Sequence, residues 1–148
     1  MSCEQKIPDK DSLYRKCHWK HWDDVNEVPE YGAVEFDKSD DTVSVFWSAL
    51  IRSEDVLPQF RSLRAIQEDG VIAIRAGQAR AGSDREGNRM EVNHTPHFEP
   101  ECHVSHSSIV PASVPFNRTR AYDLLLEGYE VIVPVQRRRS LSEKPASG

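Results

Sequence analysis

Gly70-Val-Ile-Ala-Ile-Arg-Ala-Gly-Gln-Ala-Arg80 is the stretch on which the fold turns. Val71, Ile72 and Ile74 are β-branched, which favours the pleated surface of a sheet over a helix. The pattern predicts one strand over 71–80, with Gly77 as a bulge. Upstream, Ser53 reads as a helix N-cap, with Glu54 and Asp55 at the positive end of the dipole and Val56, Phe60 and Leu63 at helical spacing. Pro58 interrupts that segment and suits the first position of a second short helix, which Gly70 ends. Residues 43–47 predict a strand, and 33–36 a shorter one joined to it by the turn formers of 38–42 into a hairpin. Residues 11–22 fit either a strand or a helical first turn at Leu13 and Tyr14. Downstream, 82–88 reads as a hairpin loop, 89–93 and 101–109 as strands, and 94–100 as the loop between them. Asn117 caps a helix to Leu126, Gly128 is expected as its left-handed stop, and 129–133 is a last strand. Strands, helix, strands, helix, strand is the order of an α+β fold: a mostly antiparallel sheet with one or two packed helices.

The 148 residues suit one domain, with 38% hydrophobic content against 29% charged. The expected limits are a flexible start over 1–10, a single domain over 11–135 and a disordered basic tail over 136–148. The tail carries +3 through Arg137, Arg138, Arg139 and Lys144 against Glu143, so the net charge of −5 leaves −8 on residues 1–135. A body that acidic repels a phosphate backbone and disfavours general nucleic-acid binding. The start lacks the apolar core of a secretory signal, and the longest apolar-rich run, 43–51, is too short to cross a bilayer. Three scattered cysteines, Cys3, Cys17 and Cys102, make no disulfide framework and fit a cytoplasmic protein.

Four pieces of sequence carry candidate chemistry. Leu13-Tyr-Arg-Lys-Cys-His18 offers Arg15 as an anion donor and His18 as an acid or base, against the plainer reading of Tyr14, Trp19 and Trp22 packing under surface charges. Were the piece helical, Cys17 and His21 would share a face. His94, His97, Cys102, His103 and His106 form a second cluster. On a strand Cys102 and His106 share a face but lie roughly 13 Å apart, too far to chelate one zinc as a local pair. No metal and no cofactor is therefore expected. Arg75 and Arg80 flank Ala-Gly-Gln-Ala and can grip a phosphate or carboxylate, although the glycine count and the Lys-Ser/Thr ending of a phosphate loop are missing. The plainer reading is a bulged strand with solvated arginines. Finally, Glu127-Gly-Tyr-Glu130, taken with an early arginine, resembles ADP-ribosyltransferases, in which an early Arg or His grips the dinucleotide and a late Glu holds a ribose. Val43-Ser-Val45 stands where those enzymes carry Ser-Thr-Ser.

The order of short motifs resembles a group of small uncharacterised bacterial proteins. It runs Leu-Tyr-Arg-x-x-His (13–18), Phe36, Val-Ser-Val (43–45), Ala-Gly-x-Ala-Arg (76–80), and Pro100 shortly before His103. The resemblance spans roughly 13–110 and implies residues to examine, but no activity. This chain departs from it by one extra residue between Pro100 and His103. The function expected from all this is a small soluble intracellular accessory domain that binds another protein, anchored by some of the three tryptophans. The alternative is a small transferase or hydrolase acting on a phosphate- or nucleotide-like substrate. It would use Arg15 and Arg80 as clamps and His18 with His103 as acid and base.

Overall fold

The computed structural model describes residues 5–81, 89–96, 104–112, 114 and 116–138. Among them the chain forms a six-stranded antiparallel sheet in the order β6-β7-β4-β1-β5-β8 and a separate two-stranded ribbon. The sheet strands are β1 (Ser12–Cys17), β4 (Val43–Trp47), β5 (Gly70–Arg75), β6 (Met90–His94), β7 (His106–Pro111) and β8 (Glu130–Val133), and the ribbon is β2 (Trp22–Asp23) with β3 (Val28–Pro29). Three short helices, α1 (Leu63–Glu68), α2 (Ala76–Arg80) and α3 (Arg118–Glu127), complete an α+β fold. No helix among the described residues is long and apolar enough to cross a membrane.

Residues 12–17 are a strand, and a central one. β1 pairs with β5 from Ser12↔Arg75 to Cys17↔Gly70, and with β4 at Leu13↔Trp47 and Tyr14↔Phe46. Alternation then divides the side chains between two cores. Leu13, Cys17, Val43, Val45, Trp47, Ile72, Ile74, Val92 and Ile109 pack with Ala76 and Ala79 of α2 and Ala121 and Leu125 of α3. On the opposite face, Phe46, Val56, Leu57 and Val71 form a smaller core with Tyr14, Ile51, Ile132 and Val133.

The deciding stretch folds in two parts, not one. β5 ends at Arg75, and Ala76–Arg80 turns into α2. Two N-terminal amides of this helix are satisfied from the preceding segment: Ala76 N donates to Asp11 O (3.0 Å) and Gly77 N to Asp9 O (2.9 Å). A Cβ at Gly77 would stand 3.0 Å from Asp9 Cβ, so the glycine admits this close approach and is not a bulge. The irregularity in β5 lies between Val71 and Ile72, against β8.

Other boundaries move for similar reasons. Residues 31–34 form a 3-10 turn that buries Ala33 and Val34, so β4 pairs with β1 and β7 and makes no hairpin with 33–36. The segment after Ser53 is two 3-10 turns, Ser53–Asp55 and Leu57–Phe60, stopped by Arg61 in the left-handed region at φ 48°. Ser62 then caps α1, its hydroxyl accepting from Ala65 N at 3.2 Å. Asn117 caps α3 as expected, accepting from Arg120 N, whereas Gly128 ends it at φ −115°, outside the left-handed region. The packed body also passes the 11–135 limits at both ends. Ile7 is fully buried, and the backbone amides of Gln136 and Arg137 both bond to Glu68 O.

Candidate functional site

His18 sits where β1 ends and a 3-10 turn, Trp19–His21, begins. Its Nδ1 caps that turn by accepting from Lys20 N at 3.1 Å. An acceptor at Nδ1 puts the proton of the neutral ring on Nε2. Burial lowers its pKa, outweighing the opposite pull of Asp69. Asp69 is itself buried: it receives Trp19 N at 3.0 Å and faces Lys16 Nζ at 3.8 Å. Together these residues open onto a cleft of about 940 Å³ that also takes in Lys20, Arg64, Glu68 and Arg137. Trp19 lies within it, covered by the Arg137 guanidinium at 3.7 Å from the ring centre.

Arg15 belongs to a different environment. It is on the Leu13 and Cys17 side of β1, where Nε donates to Ala33 O (2.9 Å) and Nη1 to Ser44 O (2.8 Å). Desolvation by burial lowers its pKa. This arginine ties the 31–34 turn to β4 through main-chain carbonyls. Arg80 is likewise engaged: Nε on Glu91 (2.6 Å), Nη1 on Asp9 (2.8 Å) and Ile7 O (2.6 Å), and Nη2 on Val92 O (2.9 Å). Burial alone would lower its pKa, but the bonds to Asp9 and Glu91 raise it. Arg80 lines a second groove, of about 900 Å³, with His94 and Asn93, whereas His18 lines the first. Arg80 and His18 therefore do not share a cleft. His103, with His97 and Cys102, lies outside the described residues.

Cys17 is fully buried, and desolvation pushes its thiol up to about 12, so it is no nucleophile at neutral pH. Trp19, Trp22 and Trp47 are all buried and present no exposed aromatic anchor. His94 accepts Gln5 N at Nδ1 (3.0 Å) and reaches Val104 O from Nε2 (2.7 Å), with its ring edge-on to Trp47: a satisfied core histidine. Glu130 pairs with Ala73, which pairs with Tyr14, so Glu130 is on the sheet face opposite Arg15. That separates the two groups an ADP-ribosyltransferase would bring together.

One arrangement escaped the sequence reading. β7 lies beside β4, and its His106 reaches diagonally to Ser44: Nε2 to Oγ is 3.2 Å. His106 Nδ1 is 2.9 Å from Thr95 O and 3.0 Å from Thr95 Oγ1, which in turn contacts Ser108 Oγ at 2.9 Å. The ring stands edge-on to Phe46. The signal in the sequence was alternation, which sets Ser44 apart from Val43 and Val45; the register that brings it to His106 is a tertiary fact.

Comparison with protein-family models, with curated proteins and with solved structures finds no match to this chain.

Proposed function

We propose that this chain is a protein-binding accessory domain that docks its partner on α1 and the mixed-charge cleft beside it. The observation that carries the reading is the outer face of α1. Leu63 is 69% exposed and Ile66 41%, and their three-residue spacing sets them on one side of the helix, with Phe60 at 38% just before it. Ser62, Arg64 and Ala65 of the same segment line the cleft. There Lys16, Lys20, Arg64 and Arg137 outnumber Glu30, Glu68 and Asp69 by one, on a body that carries −8 over 1–135. Apolar side chains beside a mixed-charge cleft suit a partner segment that sets aliphatic residues next to charged ones. The enzyme built on Arg15, His18, Arg80 and His103 lacks comparable support, because two of its members hold main-chain carbonyls and a third lines a separate cleft.

The test is a photo-crosslinking residue placed at Leu63 and, as a control, at the equally exposed Val25. The Leu63 probe is expected to yield a discrete adduct in cells of the native host that Arg64→Glu weakens and the Val25 probe does not form. No adduct at Leu63, or the same adducts from both positions, would overturn the reading.

A further inference from the structure

We infer that Ser44 and His106 form a nucleophile–base pair able to cleave carboxylic esters by acyl transfer. Thr95 O can only accept a hydrogen bond, and it lies 2.9 Å from His106 Nδ1. Two lone pairs would repel at that distance, so neutral His106 carries its proton on Nδ1. Nε2 is then the acceptor, and Ser44 Oγ, 3.2 Å away, is placed to donate to it. The hydroxyl proton thus points at a base whose other nitrogen is oriented by a third group, the arrangement that turns a serine into a nucleophile. A main-chain carbonyl takes the orienting place that a carboxylate often fills.

The surroundings fit this use. Ser44 is exposed on the outer face of β4, so a substrate can reach Oγ. Its own carbonyl accepts from the half-buried Arg15 guanidinium at 2.8 Å, and His106 is braced by the edge-on ring of Phe46, which limits the freedom of both partners. Phe46 also meets Phe60 edge-on, offering an apolar wall for an acyl or aryl group.

In the reaction, Ser44 Oγ bonds to the ester carbonyl carbon as its proton passes to His106 Nε2. The imidazolium, held at Nδ1 by Thr95 O, returns that proton to the departing alkoxide or phenolate. Water, deprotonated by His106, then attacks the acyl-Ser44 ester and releases the acid and the free hydroxyl. The sum is ester plus water giving acid plus alcohol. Activated esters, whose leaving groups need the least assistance, suit such a pair best.

The full chain is treated with p-nitrophenyl acetate, and acetylated residues are mapped by peptide mass spectrometry. The expected result is acetyl-Ser44 with a burst of p-nitrophenol, both absent in Ser44→Ala and slowed at least about 10-fold in His106→Gln. Circular dichroism establishes that both variants fold. Acetylation of Ser44 no faster than that of the exposed Ser39, or equal in wild type and His106→Gln, would overturn the assignment. If His106→Gln does not fold, wild-type acetylation of Ser44 no faster than that of Ser39 overturns it alone.

Discussion

Long cationic side chains serve main-chain carbonyls in this fold. Arg15 and Arg80 read from sequence as ligand grips because a guanidinium beside small residues suits an anion. In the structure Arg15 satisfies Ala33 O and Ser44 O, and Arg80 satisfies Ile7 O and Val92 O while pairing with Asp9 and Glu91. Sequence offers no sign of which carbonyls will be left unpaired by strand geometry, so the donor type was legible and its acceptor was not. His18 is a different case, since its role as a cap has a consequence in solution. The folded chain keeps His18 below the ordinary value of 6.5, chiefly through burial, with the His21, Lys16 and Lys20 charges adding to it and Asp69 opposing. Unfolded chain therefore binds a proton that folded chain resists. Stability contributed by the neutral ring is present above that ordinary value, is lost as pH falls through it, and levels off below the lowered folded value. Protonation also removes the acceptor for Lys20 N. Denaturation midpoints measured through this acid range should fall more in wild type than in His18→Gln, whose amide oxygen can still accept from Lys20. Equal falls would show that His18 does not carry the effect.

Elements with strong local signals are where the sequence is most readable. The β-branched and aromatic run of Val43, Val45, Phe46 and Trp47 marks β4, and Asn117 before an Ala121–Leu125 face marks α3. β1 resisted reading because Arg15 occupies a core-facing position between Leu13 and Cys17, which spoils the alternation. The 71–80 stretch misled because its helix is nucleated from outside, by the carbonyls of Asp9 and Asp11. Glycine placement yields a sharp contrast between elements. A Cβ at Gly70 would stand 2.4 Å from Val133 O and 2.7 Å from Val135 N, both backbone atoms, so β5 and β8 would have to part. Gly70→Ala is expected to cost about 1–3 kcal/mol, as overpacking does. Gly128 has negative φ and would meet only the flexible Gln78 side chain, at 3.4 Å. Gly128→Ala should therefore lie within about 0.5 kcal/mol of wild type. Urea denaturation of both variants checks the pair, and a Gly70→Ala as stable as Gly128→Ala would contradict the close approach of β8.

Across the whole molecule, the order of elements reveals the fold class, but composition does not reveal where the packed body stops. The charge, Ser and Pro content of 136–148 predicts a dispensable tail. Its first residues nevertheless complete α1. Gln136 N and Arg137 N both donate to Glu68 O, at 3.1 and 2.9 Å, and Gln136 Nε2 donates to Ile66 O and Asp69 O at 2.6 and 3.1 Å. These are carbonyls at the end of a helix and just past it, which the helix itself cannot satisfy. Arg137 adds an ion pair to Glu68 at 3.2 Å and covers Trp19. Composition hides this because a glutamine and an arginine act here through backbone and stacking, not through apolar burial. Truncation after Arg138 should leave thermal stability nearly unchanged, whereas truncation after Val135 removes four hydrogen bonds to main-chain carbonyls, the Arg137–Glu68 pair and the Trp19 cover. Partial replacement by water reduces that loss to about 2 kcal/mol, since net gains per bond are small. For a chain of this size that corresponds to a fall of roughly 5–8 °C in Tm. Scanning calorimetry of the two truncations decides it: midpoints that agree within a degree or so would mean that Gln136 and Arg137 do not hold α1 in solution.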